Sequence, residues 1–260
     1  MIDRVAPTLR PDGPPQGFHK WRTLLFMHWE IDAAALRALV PAQLEIDTYE
    51  GRAFVGLVPF TMLGIRPTRF LPAMPGVSAF HETNVRTYVH FEGRDPGVWF
   101  FSLDAANSLA VRAARRFWHL PYFRAEMRID ARRGDRAIDA VNDAVDTGAH
   151  VAYRSERLWP EPLPAKIDLA YSIGEDAGPS VPGSLQHFLA ERYFLYSQKR
   201  SGTIMRGRVH HAPYPLRRAR VERLEESLLA AAGLARDGER DAPDLYSPGV
   251  DVEVFALDAI

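Results

Sequence analysis

Residues Ala53–Leu63, AFVGLVPFTML, are apolar at almost every position, yet Gly56 and Pro59 interrupt the run. A proline inside a helix removes a backbone hydrogen bond and clashes with the preceding turn. The β-branched and aromatic content favours an extended chain. The segment therefore reads as a strand. Trp21–Trp29 (WRTLLFMHW) reads the same way, and Val98–Leu103 (VWFFSL) is apolar enough for a strand buried on both faces.

The remaining punctuation spaces out further short elements. Asp32 can cap a helix over Ala33–Val40 that Pro41 stops. Leu44–Thr48 is extended, Tyr49–Arg52 is a turn, and Arg66–Gly76 is a proline-rich loop. Thr83–Phe91 is a strand, followed by a turn over Gly93–Gly97. Asp104 can cap a helix that runs to Trp118 and ends before Pro121. Two or three strands fill 122–154, with a turn near Arg133–Asp135. The Pro/Gly-rich stretch 160–184 holds one short strand, Ile167–Tyr171, and Ser184 can cap a helix over Leu185–Glu191. Tyr193–Ser197 and Thr203–His210 form a hairpin around Ser201-Gly202. Val221–Ala232 has helical spacing, with Leu224, Leu228 and Leu229 on one face and Gly233 as the stop. Many strands with singly inserted short helices predict an α+β, mainly β architecture of barrel type. No repeat or linker is visible, so residues 1–260 read as one domain with 1–16 as a loose N-terminal arm.

Composition removes whole classes of function. With 47% hydrophobic residues among 260, the chain can bury a sizeable core. A net charge of -1 lacks the basic footprint of a nucleic-acid binder and gives no attraction to anionic lipid. The absence of cysteine excludes disulfides, thiolate metal sites and cysteine nucleophiles. Met1–Gln16 has no apolar core of a signal peptide, and no run approaches the roughly 18 apolar residues of a membrane span, so a cytoplasmic protein is expected. Lysines are confined to Lys20, Lys166 and Lys199.

The strand HETNVRTYVHF carries the densest chemistry. Side chains alternate between faces with period two. Thr83, Val85, Thr87, Val89 and Phe91 share one face; Glu82, Asn84, Arg86, Tyr88 and His90 share the other. At ~3.3 Å per residue, Glu82 and Arg86 lie roughly 13 Å apart along the strand, able to meet opposite ends of one small ligand but not to pair. Periodicity alone leaves two readings open: a wet outer face or the lining of an interior.

Other constellations carry less. His28-Trp29-Glu30, His81-Glu82 and His210-His211 lack the spacing that puts two metal ligands on one helix face, although His28 and Glu30 would share a strand face. No metal or other cofactor is expected. No nucleophile elbow, dinucleotide fingerprint or phosphate loop occurs. Tyr193 and Tyr196 fall on opposite faces if extended, one for the core and one for a ligand.

Several segments together resemble known families. Asp32–Met62, with Leu36, Val40, Pro41 and Leu44-Glu45-Ile46-Asp47, is similar to the N-terminal motif of acetoacetate decarboxylase. LFMHW (25–29), FHETNVRTYV (80–89), GVWFFSLDA (97–105), LPY (120–122), FLAERYFLY (188–196), HHAPYPL (210–216) and SPGVDVEVF (247–255) resemble the DUF2071 (YqjF-like) family of the acetoacetate-decarboxylase-like superfamily. The resemblance implies a β-barrel-like fold with flanking short helices, an internal ligand cavity and homo-oligomers. It aligns the decarboxylase's active-site glutamate with Glu82. It also places Arg115 and Arg116 where the decarboxylase has its lysine pair. A guanidinium stays protonated and cannot form an imine, so Schiff-base chemistry is not expected.

Two functions follow as expectations. One is a lyase, hydratase or isomerase acting on a small carbonyl or carboxylate compound. There Glu82 is the acid/base, Arg86 or Arg115 and Arg116 hold negative charge, and Asn84 and Tyr88 orient the substrate. The alternative is a non-catalytic protein that binds or senses a small anionic or aromatic compound in the same place.

Overall fold

The computed structural model describes residues 2–74, 76, 78–235, 240 and 242–260. Among these residues, thirteen strands form one hydrogen-bonded sheet. In chain order they are β1 (Gly17–Ile31), β2 (Glu45–Ile46), β3 (Ala53–Arg66), β4 (Ala79–Phe91), β5 (Arg94–Ala105), β6 (Tyr122–Arg133), β7 (Arg136–Ile138), β8 (His150–Trp159), β9 (Lys166–Asp176), β10 (Phe194–Gln198), β11 (Ile204–His210), β12 (Arg217–Glu226) and β13 (Leu245–Ala259). Four short α-helices among the described residues punctuate them: α1 (Ala33–Arg37), α2 (Ser108–Ala113), α3 (Leu185–Ala190) and α4 (Leu228–Ala231). No helix among the described residues is long and apolar enough to cross a membrane.

The sheet runs β1-β3-β4-β5-β10-β11-β13-β12-β9-β8-β6-β7, and two extra pairings, β1–β13 and β5–β6, close it on itself. The result is branched rather than a simple barrel. One ring passes through β1, β3, β4, β5, β10, β11 and β13; a second continues from β13 through β12, β9, β8 and β6 back to β5. Strands β1, β3 and β4 thus separate two interiors. Leu25, Met27, Val55, Leu57 and Val85 pack with Val151, Tyr153, Leu169, Tyr171 and Tyr246 on one side. Leu24, Phe26, Val58, Phe60 and Met62 pack with Leu103, Tyr122, Val209, Tyr214 and Val252 on the other. Burial on both faces is why Ala53–Leu63 is apolar throughout, each large side chain contributing about 1.5–3 kcal/mol.

Pro59 in the middle of β3 has a local explanation. Arg22 pairs with Thr61 and Met27 with Leu57, so β1 carries one more residue than β3 across this interval. Thr23 in that bulge has φ of 55°. Pro59 therefore lies where the ladder is already interrupted and its missing N–H costs nothing. The bulge also changes side-chain phase, so that Trp21 faces the same interior as Leu24 and Phe26.

Several boundaries differ from the sequence reading. Val221–Ala232 is not one helix: β12 extends to Glu226 and only Leu228–Ala231 is helical. Ala219, Val221 and Leu224 face inward with period two, and a register shift between Val221 and Arg223 lengthens one step to three, which mimics helical spacing. Asp104 does not cap a helix; it is buried on β5, and Asn107 caps α2 through Leu109 and Ala110 N–H. A π-helical turn, Ala114–Trp118, continues α2 and ends at His119 in a left-handed conformation. The turn before β5 is at Glu92-Gly93, and Gly97 lies within the strand. Within the expected loop Arg66–Gly76, Pro75 lies outside the described residues. Ser184 does cap α3, accepting from His187 N–H, and the β10–β11 hairpin forms around residues 199–203. The N-terminal arm is pinned by ion pairs from Arg4 to Asp47 and from Arg10 to Glu253.

Gly97 is required where β5 meets β10 in parallel. A Cβ there would lie 2.6 Å from the Phe194 carbonyl oxygen. Gly97→Ala is expected to lower unfolding free energy by about 1–3 kcal/mol in chemical denaturation. An unchanged midpoint would show that the two backbones are not in close contact.

Candidate functional site

The polar face of β4 is enclosed. Glu82, Asn84, Arg86, Tyr88 and His90 are 2%, 5%, 9%, 0% and 8% exposed, which removes the wet-surface reading. Cross-strand neighbours are largely apolar: Phe60 and Ala105 flank Glu82, Val58 and Leu103 flank Asn84, and Gly56 and Phe100 flank Arg86. Gly56 is small for a reason. A Cβ there would come within 3.1 Å of the His28 ring and 3.4 Å of Arg86 Cγ.

Glu82 receives one hydrogen bond, from Tyr122 Oη to Oε2 at 2.8 Å. Burial pushes its pKa up to about 8; the Tyr122 hydrogen bond opposes the shift and the Asp104 charge adds to it. Tyr122 is delivered by β6, whose first residues pair in parallel with the end of β5. Arg115 Nη1 donates to the Tyr122 carbonyl at 2.6 Å. Arg115 and Arg116 are both exposed on the π-helical turn, and Arg116 lies over the Phe117 ring at 5.7 Å. Neither guanidinium bonds to the β4 face; Arg115 reaches it only through the backbone of Tyr122.

Arg86 and Tyr88 converge on one acceptor. Arg86 Nη2 and Tyr88 Oη donate to the Leu189 carbonyl at 3.2 and 2.8 Å. His28 Nε2 lies 2.7 Å from Tyr88 Oη. The tyrosine proton goes to Leu189, so His28 must donate from Nε2, leaving Nδ1 bare; Nδ1 is buried without a partner. Burial and the Arg86 charge hold His28 well below the usual histidine range, consistent with a neutral ring. The Arg86 guanidinium lies 5.6 Å from the Phe26 ring centre and 5.7 Å from that of Tyr88. Two other buried arginines have carboxylates: Arg157 meets Asp104 at 2.6 and 2.7 Å, and Arg192 meets Asp47 at 2.7 Å. Arg86 has none among the described residues, and its Nε is buried without an acceptor. Asn84 Oδ1 is likewise unpartnered. Asn84 Oδ1 and Arg86 Nε are thus two buried polar atoms on one strand face that a ligand could satisfy.

Of the opposite wall, the sequence marks Tyr193, with Tyr196 as the alternative, and not Trp21, Glu191 or Tyr214. Tyr214 packs on Phe26 at 5.2 Å and on His211 at 4.6 Å. Tyr193 stacks on His211 at 4.6 Å, and Trp21 contacts both His211 and Phe60. Glu191 accepts from Tyr193 Oη at 2.7 Å and Tyr214 N–H at 3.0 Å. Glu191, Tyr193, His211 and Tyr214 lie in FLAERYFLY and HHAPYPL, segments distinctive in the sequence whose aromatic density was the available signal. Tyr196 turns the other way, donating to the Asp95 carbonyl at 2.7 Å. No cluster of three or more His, Asp or Glu able to hold a metal occurs among the described residues. A surface hollow of about 520 Å³ lies elsewhere, between the arm and the β3–β4 loop, with Glu253 bridging Arg10 and Arg69.

The closed, branched sheet is the acetoacetate-decarboxylase-like fold. The structure superposes on an acetoacetate decarboxylase-like enzyme from Sphingomonas wittichii RW1 with a TM-score of 0.61 and 12% identity, over 95% of this chain and 94% of that one. Acetoacetate decarboxylase from Legionella pneumophila gives 0.58 at 12% identity, over 98% and 92%. The enduracididine biosynthesis enzyme MppR complexed with pyruvate gives 0.58 at 13% identity, over 95% and 91%. At these identities the likeness concerns the fold. The chain belongs to the DUF2071 family, described as an uncharacterized conserved protein, whose model matches residues 19–251. It is 40% identical over 228 residues to the uncharacterized protein YqjF of Bacillus subtilis (strain 168), covering 86% of this chain and 84% of that relative.

The Glu82 environment has a thermodynamic signature. A carboxyl whose pKa rises on folding binds extra protons in the native state, so its contribution to stability is full below the unfolded value near 4.5 and is lost as pH rises through about 8. Glu82→Gln should remove that slope. Its stability relative to wild type is expected to increase between pH 5 and pH 9 in denaturant titrations, each tenfold difference in proton affinity between the folded and unfolded chains being worth about 1.4 kcal/mol. Parallel curves would refute a buried protonated Glu82.

Proposed function

We propose that the protein is an enzyme acting on a small carbonyl or carboxylate compound, with Glu82 as acid/base and Arg86 as the group that holds the anion. The carrying observation is Arg86, a buried cation with a free Nε–H and no carboxylate of its own among the described residues. Leaving a buried charge unpaired costs several kcal/mol, and an anionic ligand would supply what the protein omits. Asn84 lies two residues from both, with an unpartnered carbonyl oxygen that can accept from the ligand. The Tyr88 hydroxyl is committed to Leu189 and His28, so its part is to position Arg86. Arg115 steadies Tyr122, and Arg116 stays on the outside. The pyruvate complex of MppR, on the same fold, supports a small carboxylate as ligand.

Protonated at neutral pH, Glu82 can donate to a developing enolate or alkoxide oxygen and take the proton back later. The reading needs no amine. Lys166 is exposed, Lys199 lies in the β10–β11 turn, and Lys20 stands opposite Leu63 on the side of β1 away from Trp21. A protein that only sequesters its ligand would use the same face, and would bind without turnover.

A panel of small keto and carboxylic acids, screened by thermal shift and calorimetry, should yield a ligand whose affinity falls at least about tenfold in Arg86→Gln, the loss of one charge-assisted hydrogen bond. Glu82→Gln should keep binding and lose turnover. Equal affinity in Arg86→Gln would overturn the anion assignment, and turnover retained in Glu82→Gln would overturn the acid/base role. Borohydride reduction in the presence of a keto acid should leave all lysines unmodified.

A further inference from the structure

We propose that Trp21 and His211 form a neutral hydrogen-bonding subsite beside Glu82 and Arg86, built to take a hydroxyl group of the ligand. The inference rests on the anion-holding reading of Arg86 and adds the substrate class, a hydroxylated carboxylate.

The chemistry of the two free atoms is fixed by their surroundings. His211 is 2% exposed, and its Nδ1 lies 2.8 Å from the Ala212 carbonyl oxygen. A carbonyl can only accept, so Nδ1 carries the ring proton and Nε2 presents a lone pair. That Nε2 is buried without a partner. Burial takes the His211 pKa down to about 4, so the ring stays neutral across the working range. Trp21 Nε1–H can only donate, and it too is buried without a partner. The two rings lie 5.7 Å apart at 57°, and their nitrogens do not bond to each other. One orphan donor and one orphan acceptor, each costing about 1–3 kcal/mol, are thus carried by two rings in contact.

A group that satisfies both must accept one hydrogen bond and donate another. A hydroxyl does so. A carboxylate or ketone only accepts, an ammonium only donates, and a methyl does neither. The location ties the pair to the anion site. Trp21 packs on Phe60 at 6.0 Å, and Phe60 is the cross-strand partner of Glu82. His211 packs on Tyr214, Tyr214 on Phe26, and the Arg86 guanidinium lies over Phe26. One small molecule anchored at Arg86 would thus carry its hydroxyl toward Trp21 and His211.

The test compares matched acids on the full-length protein by calorimetry: butyrate against 2-, 3- and 4-hydroxybutyrate, and propionate against lactate. At least one hydroxy acid should bind about tenfold or more tightly than its parent, since a site built to hydrogen-bond a hydroxyl rejects the analogue lacking it. Trp21→Phe and His211→Phe should bring that ratio to within about twofold while leaving the parent's affinity unchanged, whereas Arg86→Gln should weaken both. If parent acids bind through Arg86 and no hydroxyl improves them, the subsite assignment is wrong and its two atoms hold a water. If no carboxylate binds at all, the anion reading fails and this inference falls with it. The wild-type comparison stands even if an aromatic variant does not fold.

Discussion

The Leu189 carbonyl oxygen, taken by both Arg86 and Tyr88, joins the central sheet to its opposite wall. Hydrogen bonds from a charged donor contribute about 1.5–3 kcal/mol, and this one fixes more than two residues. Leu189 lies on α3, so the contact sets where that helix sits. The same helix leads directly into Glu191, Arg192 and Tyr193, which organise the far wall. Arg192 reaches back to Asp47, and its guanidinium lies 4.7 Å from the Tyr88 ring centre and 4.2 Å from that of Phe188. Helix, sheet and arm are therefore tied at one junction. His28 joins it through Tyr88 and is held neutral by burial and the Arg86 charge.

The buried charges divide into two kinds. Asp104–Arg157 and Asp47–Arg192 are closed pairs whose desolvation is offset internally, with Arg157 also 3.6 Å from the Phe123 ring centre. Breaking either would strand a charge, which makes them structural. Glu82 and Arg86 share a strand face but stand four residues apart, too far to neutralise each other. The carboxyl meets this by holding its proton; the guanidinium cannot lose one. That asymmetry leaves a carboxyl with a raised pKa at one end of the strand face and a fixed positive charge at the other.

How much of this could be read beforehand depended on whether the information was local. The alternation of β4 is local, and the five polar residues do share one face. Whether that face is enclosed is decided by β10, β11, α3 and residues 210–216, about a hundred residues or more away. The ring closures β1–β13 and β5–β6 leave no local mark. Tyr122 stands out in the sequence only as part of LPY, because its partner Glu82 lies forty residues earlier. Asp104 looks like a helix cap because its true partner, Arg157, is far along the chain. The helical look of β12 has a different source: a single bulge turns a step of two into three. Arg115 and Arg116 are placed by resemblance, and the π-helical turn leaves both outside.

The bulge in β1 has a consequence for which functional groups reach the interior. Were the ladder to continue in phase from Met27↔Leu57, Arg22 would stand opposite Met62 and Lys20 opposite Gly64, both directed toward the face that Val58, Phe60 and Met62 line. The extra residue reverses this, presenting Trp21 inward and turning Lys20 out. One backbone insertion thus decides whether an indole or a guanidinium stands opposite Met62, the next residue on the same face of β3 from Phe60, the cross-strand partner of Glu82. The chemical character of the site is set there by strand phase as much as by composition.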